Sequence, residues 1–313
     1  MAITLRIGRR GADAAPRTRR RAPAPRETGP AASAGSALRL MTLNLAHARR
    51  QGRHQALLSE STLRGNLAAI AAVIRREGPD VIALQEADGP SAWSGGFDHV
   101  ATLAELAGYP HAFRGEHNPF SLGRFDLSSG TALLARVPLD ATRSMAFAES
   151  WRDTKGFVAA TLSGESIAAP PIDVVSIHLD FLAERVRRRQ VERLVEHFRG
   201  HDRPLVLMGD FNCEWSERRR CLELLRRELK LRPVEGAGHA TFPSWRPLVR
   251  LDWILVSDEL TFSGYETLPD QLSDHLGVVA EIRLRGGAAE GAVAEDDEPT
   301  VRLRRPRRRL RRG

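Results

Sequence analysis

From Leu38 to Leu284 the sequence switches repeatedly between short apolar runs of strand length and longer stretches whose apolar residues recur at helical spacing. This alternation constrains the fold more than any other feature, because patterns of period 2 and period 3.6 bury different faces and cannot replace one another. Strands are predicted at 38–46, 80–86, 131–137, 156–162, 172–179, 204–210, 251–257 and 276–284. Helices are predicted at 61–77, where Leu63, Leu67, Ile70 and Ile74 share a face, and at 184–199, where Val191, Leu194, Val195 and Phe198 do; a third follows Ser216. Eight strands are too many for a small sheet, and neither a repeat nor a linker interrupts 37–285. A single α/β domain is the expectation.

Composition narrows the class. In 313 residues, 42% hydrophobic and 27% charged content excludes disorder throughout. The longest apolar run, Leu67 to Ile74, is far shorter than the roughly 20 residues a membrane-spanning helix needs. Cys213 and Cys221 alone cannot build a disulfide framework or a four-ligand zinc site, so a reducing cytoplasm is the expected compartment. The net charge of +8 is unevenly placed: residues 1–36 carry eight arginines against two acids, residues 286–313 carry eight against five, and 37–285 is left at −1. Both ends are read as disordered tails, rich in Arg, Pro, Ala and Gly at the start and acidic then basic at the finish. They serve solubility or, alternatively, electrostatic docking to nucleic acid or an anionic membrane surface. No apolar stretch follows Arg10 or Arg21, so a secretory or twin-arginine signal is not expected.

Polar residues with chemistry fall at the ends of the predicted strands. Asn44 lies near the end of the first and Glu86 ends the second; His178 and Asp180 close the fifth, Asp210 and Asn212 the sixth. Asp252 opens the seventh, and Ser273, Asp274 and His275 precede the eighth. One Asp or Asn after a strand is usually a turn former. Repetition at strand after strand implies that these ends converge on one polar site.

The segments LNLAH (43–47), LQEAD (84–88), GTALLARVPL (130–139), SIHLD (176–180), GDFNCE (209–214), TFPSW (241–245), RLDWILVS (250–257) and LSDHLGVVAEI (272–282) resemble, in that order, the endonuclease/exonuclease/phosphatase superfamily. That group includes deoxyribonuclease I, abasic-site endonucleases, inositol polyphosphate 5-phosphatases and neutral sphingomyelinases. The resemblance implies an α/β (α+β) fold, a four-layer αββα sandwich of two mainly antiparallel sheets with an active site at one end. It also implies that Asp252 orients His275, that Asp274 faces a metal, that His178 donates to a phosphate oxygen, and that Lys155 and Asp180 touch substrate.

The residue chemistry is coherent with that assignment. Mg²⁺ (or Mn²⁺) prefers a few carboxylate and amide oxygens, which points to Glu86 with Asn44 beside it. Asp210 is the candidate base for a water nucleophile, and Asn212 a donor to phosphate. An imidazole held by a carboxylate, as expected for His275 with Asp252, can become cationic against a dianionic transition state. The other histidines, His47, His54, His99, His111, His117, His197, His201 and His239, have no comparable motif and are expected mostly on the surface, with His117 and His239 in substrate loops. Cys213 is read as packing.

The expected function is metal-dependent hydrolysis of a phosphodiester or phosphomonoester. The alternatives are a DNA endonuclease or exonuclease, and a non-catalytic protein docking through its arginine tails. Abasic-site endonucleases usually continue the first motif into a glycine and a basic residue and follow the glutamate with Thr-Lys. Here Leu45-Ala46-His47 follows Asn44, and Ala87-Asp88 follows Glu86, which speaks against DNA repair. If the tails only concentrate a polyanion, deleting 1–36 and 286–313 weakens DNA and anionic-liposome binding and flattens its salt dependence, without changing turnover of a small phosphodiester. Salt titrations of full-length and trimmed protein, alongside small-ester kinetics, check this.

Overall fold

The computed structural model describes residues 37–285 apart from 118–119, 123–124, 148–154, 164–166, 168, 215–219 and 237. Both arginine-rich tails, and Ser216 ahead of the third predicted helix, lie outside the described residues. In chain order the elements are β1 (Leu38–Asn44), α1 (Glu60–Glu77), β2 (Val81–Asp88), α2 (His99–Ala107), β3 (His111–Glu116), β4 (Phe120–Leu122), β5 (Phe125–Leu127), β6 (Ser129–Ala135), β7 (Leu139–Ala146) and β8 (Gly156–Leu162). Then come β9 (Ile172–His178), α3 (Glu184–Phe198), β10 (Leu205–Asp210), α4 (Arg220–Leu229), β11 (Arg232–Pro233), β12 (Asp252–Val256), β13 (Leu260–Thr267) and β14 (Val278–Leu284).

The strands form two six-stranded sheets, ordered β13-β14-β1-β2-β6-β3 and β11-β12-β10-β9-β8-β7, plus the small β4-β5 pair. Neighbours are antiparallel except β1 with β2 and β9 with β10. Alternation along the central strands explains why the sheets stack. Leu40, Val81, Ala83 and Leu133 of the first sheet meet Val158, Ala160, Val174, Val206, Met208 and Ile254 of the second in a common core. The intervening residues Met41, Leu43, Ile82, Leu84 and Leu134 face outward against Leu63, Leu67, Ile70 and Ile74 of α1 and Val100 and Leu103 of α2. On the far side Val175, Ile177, Leu207 and Leu255 meet Val191, Leu194, Val195 and Phe198 of α3 and Leu222, Leu225 and Leu229 of α4. Helix, sheet, sheet and helix layers follow, as the motifs implied. Each fully buried aliphatic side chain contributes about 1.5–3 kcal/mol, so both faces of both sheets stabilise the stack.

All eight predicted strands and all three predicted helices are present, the strand at 156–162 with both ends as predicted and others with ends shifted by a few residues. The first strand stops at Asn44 rather than residue 46, because Ala46, His47 and Ala48 take left-handed backbone (φ 47°, 53° and 57°). The strands that periodicity missed include β3, β7, β11 and β13, which are the four sheet edges. Edge strands leave one side to solvent, and LDATRSMA of β7 is accordingly half-buried or exposed throughout. Helix α2 was also missed. Asp98 caps it by accepting from Ala101 N at 2.9 Å, and Gly108 ends it in left-handed conformation.

Gly209 is the packing constraint nearest the strand ends. A Cβ there would sit 2.0 Å from Ile177 O in the adjacent strand, and its φ of 149° disfavours a side chain. Gly209→Ala should therefore push β10 off β9, cost about 1–3 kcal/mol, and lower the melting temperature by several degrees. Circular-dichroism melts of wild type and variant check it.

Candidate active site

The register of the second sheet sets three side chains in a rank. Asp210 is the cross-strand partner of His178 on one side and of Asp252 on the other. Asp210 and Asp252 share the parity of Met208 and Ile254, so they project into the mouth between the sheets. Just below, Gln85 Nε2 donates to Ser176 Oγ at 3.1 Å, and Ser176 Oγ donates to Leu84 O at 3.0 Å. That buried polar tie joins the two sheets directly beneath the site.

Asn44, at the end of β1, closes the rank from the opposite sheet: its Nδ2 donates to Asp210 Oδ2 at 3.0 Å. The other oxygen of Asp210 accepts from Asn212 N at 2.9 Å. Asn212 turns with a φ of 49° and donates through Nδ2 to Leu179 O at 2.9 Å. His275 Nδ1 lies 2.8 Å from Asp252 Oδ2, and its Nε2 lies 3.8 Å from Asp210 Oδ2. Phe242 covers the His275 ring, with centroids 4.9 Å apart.

These contacts set the charges. Burial pushes the Asp210 carboxyl up to about 6, with the neighbouring Asp252 charge acting in the same direction. Burial opposes a charge on His275, yet Asp252 and Asp210 outweigh it and push the imidazole up to about 10. His178 is held well below the usual histidine range, first by burial and then by Lys155, whose Nζ lies 2.9 Å from His178 Nε2. A lysine ammonium only donates, so His178 accepts from it as neutral imidazole.

Glu86 reaches the site through a bulge. The β2–β6 register jumps from Gln85 opposite Thr131 to Ala87 opposite Gly130, leaving Glu86 as the extra residue with a φ of 48°. A bulge of this kind re-aims a side chain. Glu86 Oε1 lies 3.9 Å from Lys155 Nζ, and its Oε2 lies 3.4 Å from His47 Nε2. His47 Nδ1 lies 2.8 Å from Asp88 Oδ1. Burial works against charge on His47, but Asp88 and then Glu86 raise it above the ordinary value.

An open pocket adjoins this side, lined by His47, Glu86, Trp93, His117, Ser129, Gly130, Lys155 and His178. His117 donates or accepts at Thr131 Oγ1 through Nε2 at 2.8 Å, and burial together with Lys155 brings it down to about 4. Its ring occupies a slot against Gly156, where a Cβ would stand 2.6 Å from Nδ1. Trp93 Nε1 is buried with no hydrogen-bond partner among the described residues.

The rank therefore gathers Asn44, His178, Asp210, Asn212, Asp252 and His275, while Glu86 and Lys155 line the adjoining pocket. Two residues named from sequence are engaged elsewhere. Asp274 Oδ2 accepts from Arg49 at 2.6 Å, and Asp180 Oδ1 accepts from Leu182 N and Ala183 N at 2.9 and 2.7 Å, fixing the turn into α3. His54 and His197 are exposed, and His239 packs edge-on against Tyr265. His47 and His99 depart from the surface expectation: His99 is buried with Nε2 2.8 Å from Ser94 O, and His47 lines the pocket, as does His117, expected in a substrate loop. His47, Asp88 and Trp93 were missed as site residues, although His47 and Asp88 stand inside the two motif segments LNLAH and LQEAD.

The sequence matches the Endonuclease/Exonuclease/phosphatase family over residues 41–275, and the chain belongs to that family of phosphoesterase hydrolases. Solved structures share the fold. An endonuclease/exonuclease/phosphatase from Beutenbergia cavernae is 24% identical with a TM-score of 0.62, covering 80% of this chain and 72% of that one. The human Nocturnin catalytic domain with bound sulfate is 22% identical (TM-score 0.60; 80% and 95% covered). A mannosyl-6-phosphatase from Bacteroides thetaiotaomicron is 16% identical (TM-score 0.60; 78% and 99% covered). No curated protein matches the chain. Among the described residues no helix is long and apolar enough to cross a membrane.

The two shifted groups predict a bell-shaped rate profile. With Asp210 as base and His275 as a cation, activity should rise as Asp210 loses its proton past about pH 6 and fall as His275 loses its proton past about pH 10. Measuring kcat/KM for a small phosphoester from pH 5 to 11 tests both limbs, and Asp252→Asn should move the alkaline limb down.

Proposed function

We propose that this protein is a divalent-metal-dependent phosphoesterase that hydrolyses a phosphodiester or phosphomonoester by attack of water. The observation that carries this reading is the in-register rank of His178, Asp210 and Asp252, capped by Asn44 and His275, at the mouth between the sheets. Asp210 holds and deprotonates the water, and the backbone amide of Asn212 keeps its carboxylate aimed. Asp252 fixes the tautomer and rotation of His275, whose Nε2 hydrogen faces the charge that develops on phosphorus. Lys155, His178 and Asn212 supply donors to the phosphate oxygens, and Asp180 fixes the turn into α3 rather than touching substrate itself.

The residues present fit Mg²⁺ or Mn²⁺. The carboxylate of Glu86 and the amide oxygen of Asn44 are the hard donors such an ion takes, and Glu86 lines the open pocket; the separate group Asp210, Asp252 and His275 brings ligand atoms within 4.8 Å of one another, but there the two carboxylates hold His275 as a cation. Glu86 with Asn44 would hold the ion, and Asp274 would join them only on giving up its contact with Arg49. When bound, the ion neutralises phosphate oxygens and stabilises the leaving oxygen. The similar structure named a mannosyl-6-phosphatase supports a monoester substrate; nucleic acid and anionic membrane surfaces remain the proposed partners of the tails.

Activity of the full-length protein should vanish in EDTA and return with Mg²⁺ or Mn²⁺ in a panel of bis-nitrophenyl phosphate, sugar phosphates, inositol phosphates, sphingomyelin and DNA. Asp210→Asn, which keeps shape and loses proton-accepting capacity, should lower turnover by about 10² or more with substrate binding retained. Full activity in metal-free buffer would sink this reading.

A further inference from the structure

Two departures from the abasic-site endonuclease pattern, His47 after Asn44-Leu45-Ala46 and Asp88 after Glu86-Ala87, prove to be one contact. His47 Nδ1 lies 2.8 Å from Asp88 Oδ1, and because a carboxylate only accepts, Nδ1 carries the hydrogen. Asp88 is fully buried at the end of β2 and cannot move away, so the imidazole is fixed. Its other nitrogen, Nε2, is thereby aimed at Glu86 Oε2, 3.4 Å away. The Trp93 ring meets His47 edge-on, with centroids 5.1 Å apart, and blocks rotation on that side.

The chain bears strain to make this arrangement. Ala46, His47 and Ala48 are consecutive non-glycine residues at positive φ, a conformation that costs roughly 1–2 kcal/mol per residue. The turn is over-determined at both ends. Asn44 Oδ1 accepts from Ala46 N at 2.9 Å, and Asn66 Nδ2 donates to Ala48 O at 2.8 Å. Strain held by such surroundings concentrates where a side chain must be placed for function.

We propose that Asp88 and His47 form a positioning pair for Glu86, presetting its carboxylate so that a divalent cation meets an oriented ligand. The proposal rests on the metal reading of Glu86 given above. His47 is then a positioning residue: it acts through Glu86 and leaves bond cleavage to the Asp210 and His275 side. Outer partners of this kind set metal affinity, and their removal costs about 10- to 100-fold in binding.

Mn²⁺ titration of the metal-stripped full-length protein, followed by electron paramagnetic resonance with thermal melts alongside, tests the pair. H47A and D88N should weaken Mn²⁺ about 10- to 100-fold, and E86Q should weaken it most. H47N should lose affinity like H47A, since asparagine tolerates the left-handed turn but cannot span both carboxylates. Turnover lost at low Mn²⁺ should be regained as Mn²⁺ rises, placing the deficit in metal affinity rather than in kcat. Wild-type affinity in D88N and H47N overturns the proposal, as does a kcat depressed at saturating Mn²⁺ with affinity intact, which would put His47 on the substrate. If H47A does not fold, D88N and H47N decide the matter. Wild-type affinity in E86Q is a separate failure, overturning the metal reading of Glu86 itself.

Discussion

Two carboxylates, Asp210 and Asp252, stand fully buried on adjacent strands in direct register, and the arrangement around them exists to make that tolerable. Like charges about 4 Å apart repel by about 4 kcal/mol at an effective dielectric near 20, and each also loses hydration. His275 offsets this from one side, while Asn44 and the Asn212 amide donate to Asp210. The compensation is incomplete at Asp210, whose carboxyl remains raised. A base with its proton affinity lifted toward neutrality is more useful than a fully stabilised anion.

The same device recurs on the other sheet with a different result. Asp88 and His47 repeat the 2.8 Å carboxylate–imidazole contact of Asp252 and His275, but the free nitrogen meets Glu86 instead of Asp210. The second sheet sets Asp252 beside Asp210 by register, with a glycine before Asp210, and the loop ahead of β14 of the first sheet brings His275 to Asp252. The first sheet delivers its own pair through a bulge at Glu86 and a left-handed turn at 46–48. Left-handed backbone therefore serves both sides, at Ala46, His47, Ala48 and Glu86 on the side that approaches Glu86 and at Asn212 on the side that holds the proposed base.

How much of this was legible in the sequence follows from burial. Core strands such as DVIALQE and PLVLMGD are apolar because both of their faces are covered, and each was found within a residue or two. The four edge strands bury one face only in part, and HAFRGE or LDATRSMA carries no such run. The strand-end residues of the Asp210 rank were visible because GDFN, RLDW and SDH stand at strand termini. His47 and Asp88 were not singled out, since one turns on a left-handed backbone and the other is a single acid closing a strand; their pairing is a fact of three dimensions.

The near-neutral charge of residues 37–285 is a matter of composition, and the fold adds close pairing: Arg39 lies against Glu77 and Glu281, Arg76 against Asp270, and Arg49 against Asp274. Among the residues lining the pocket, the permanent cation is Lys155, flanked by His117 and His178, whose lowered proton affinities keep them neutral near pH 7. Attraction at the pocket is therefore short-ranged, set by a few donors and balanced by Glu86. On the proposal that the arginine-rich ends attract a polyanion, capture and chemistry would fall to different parts of the chain.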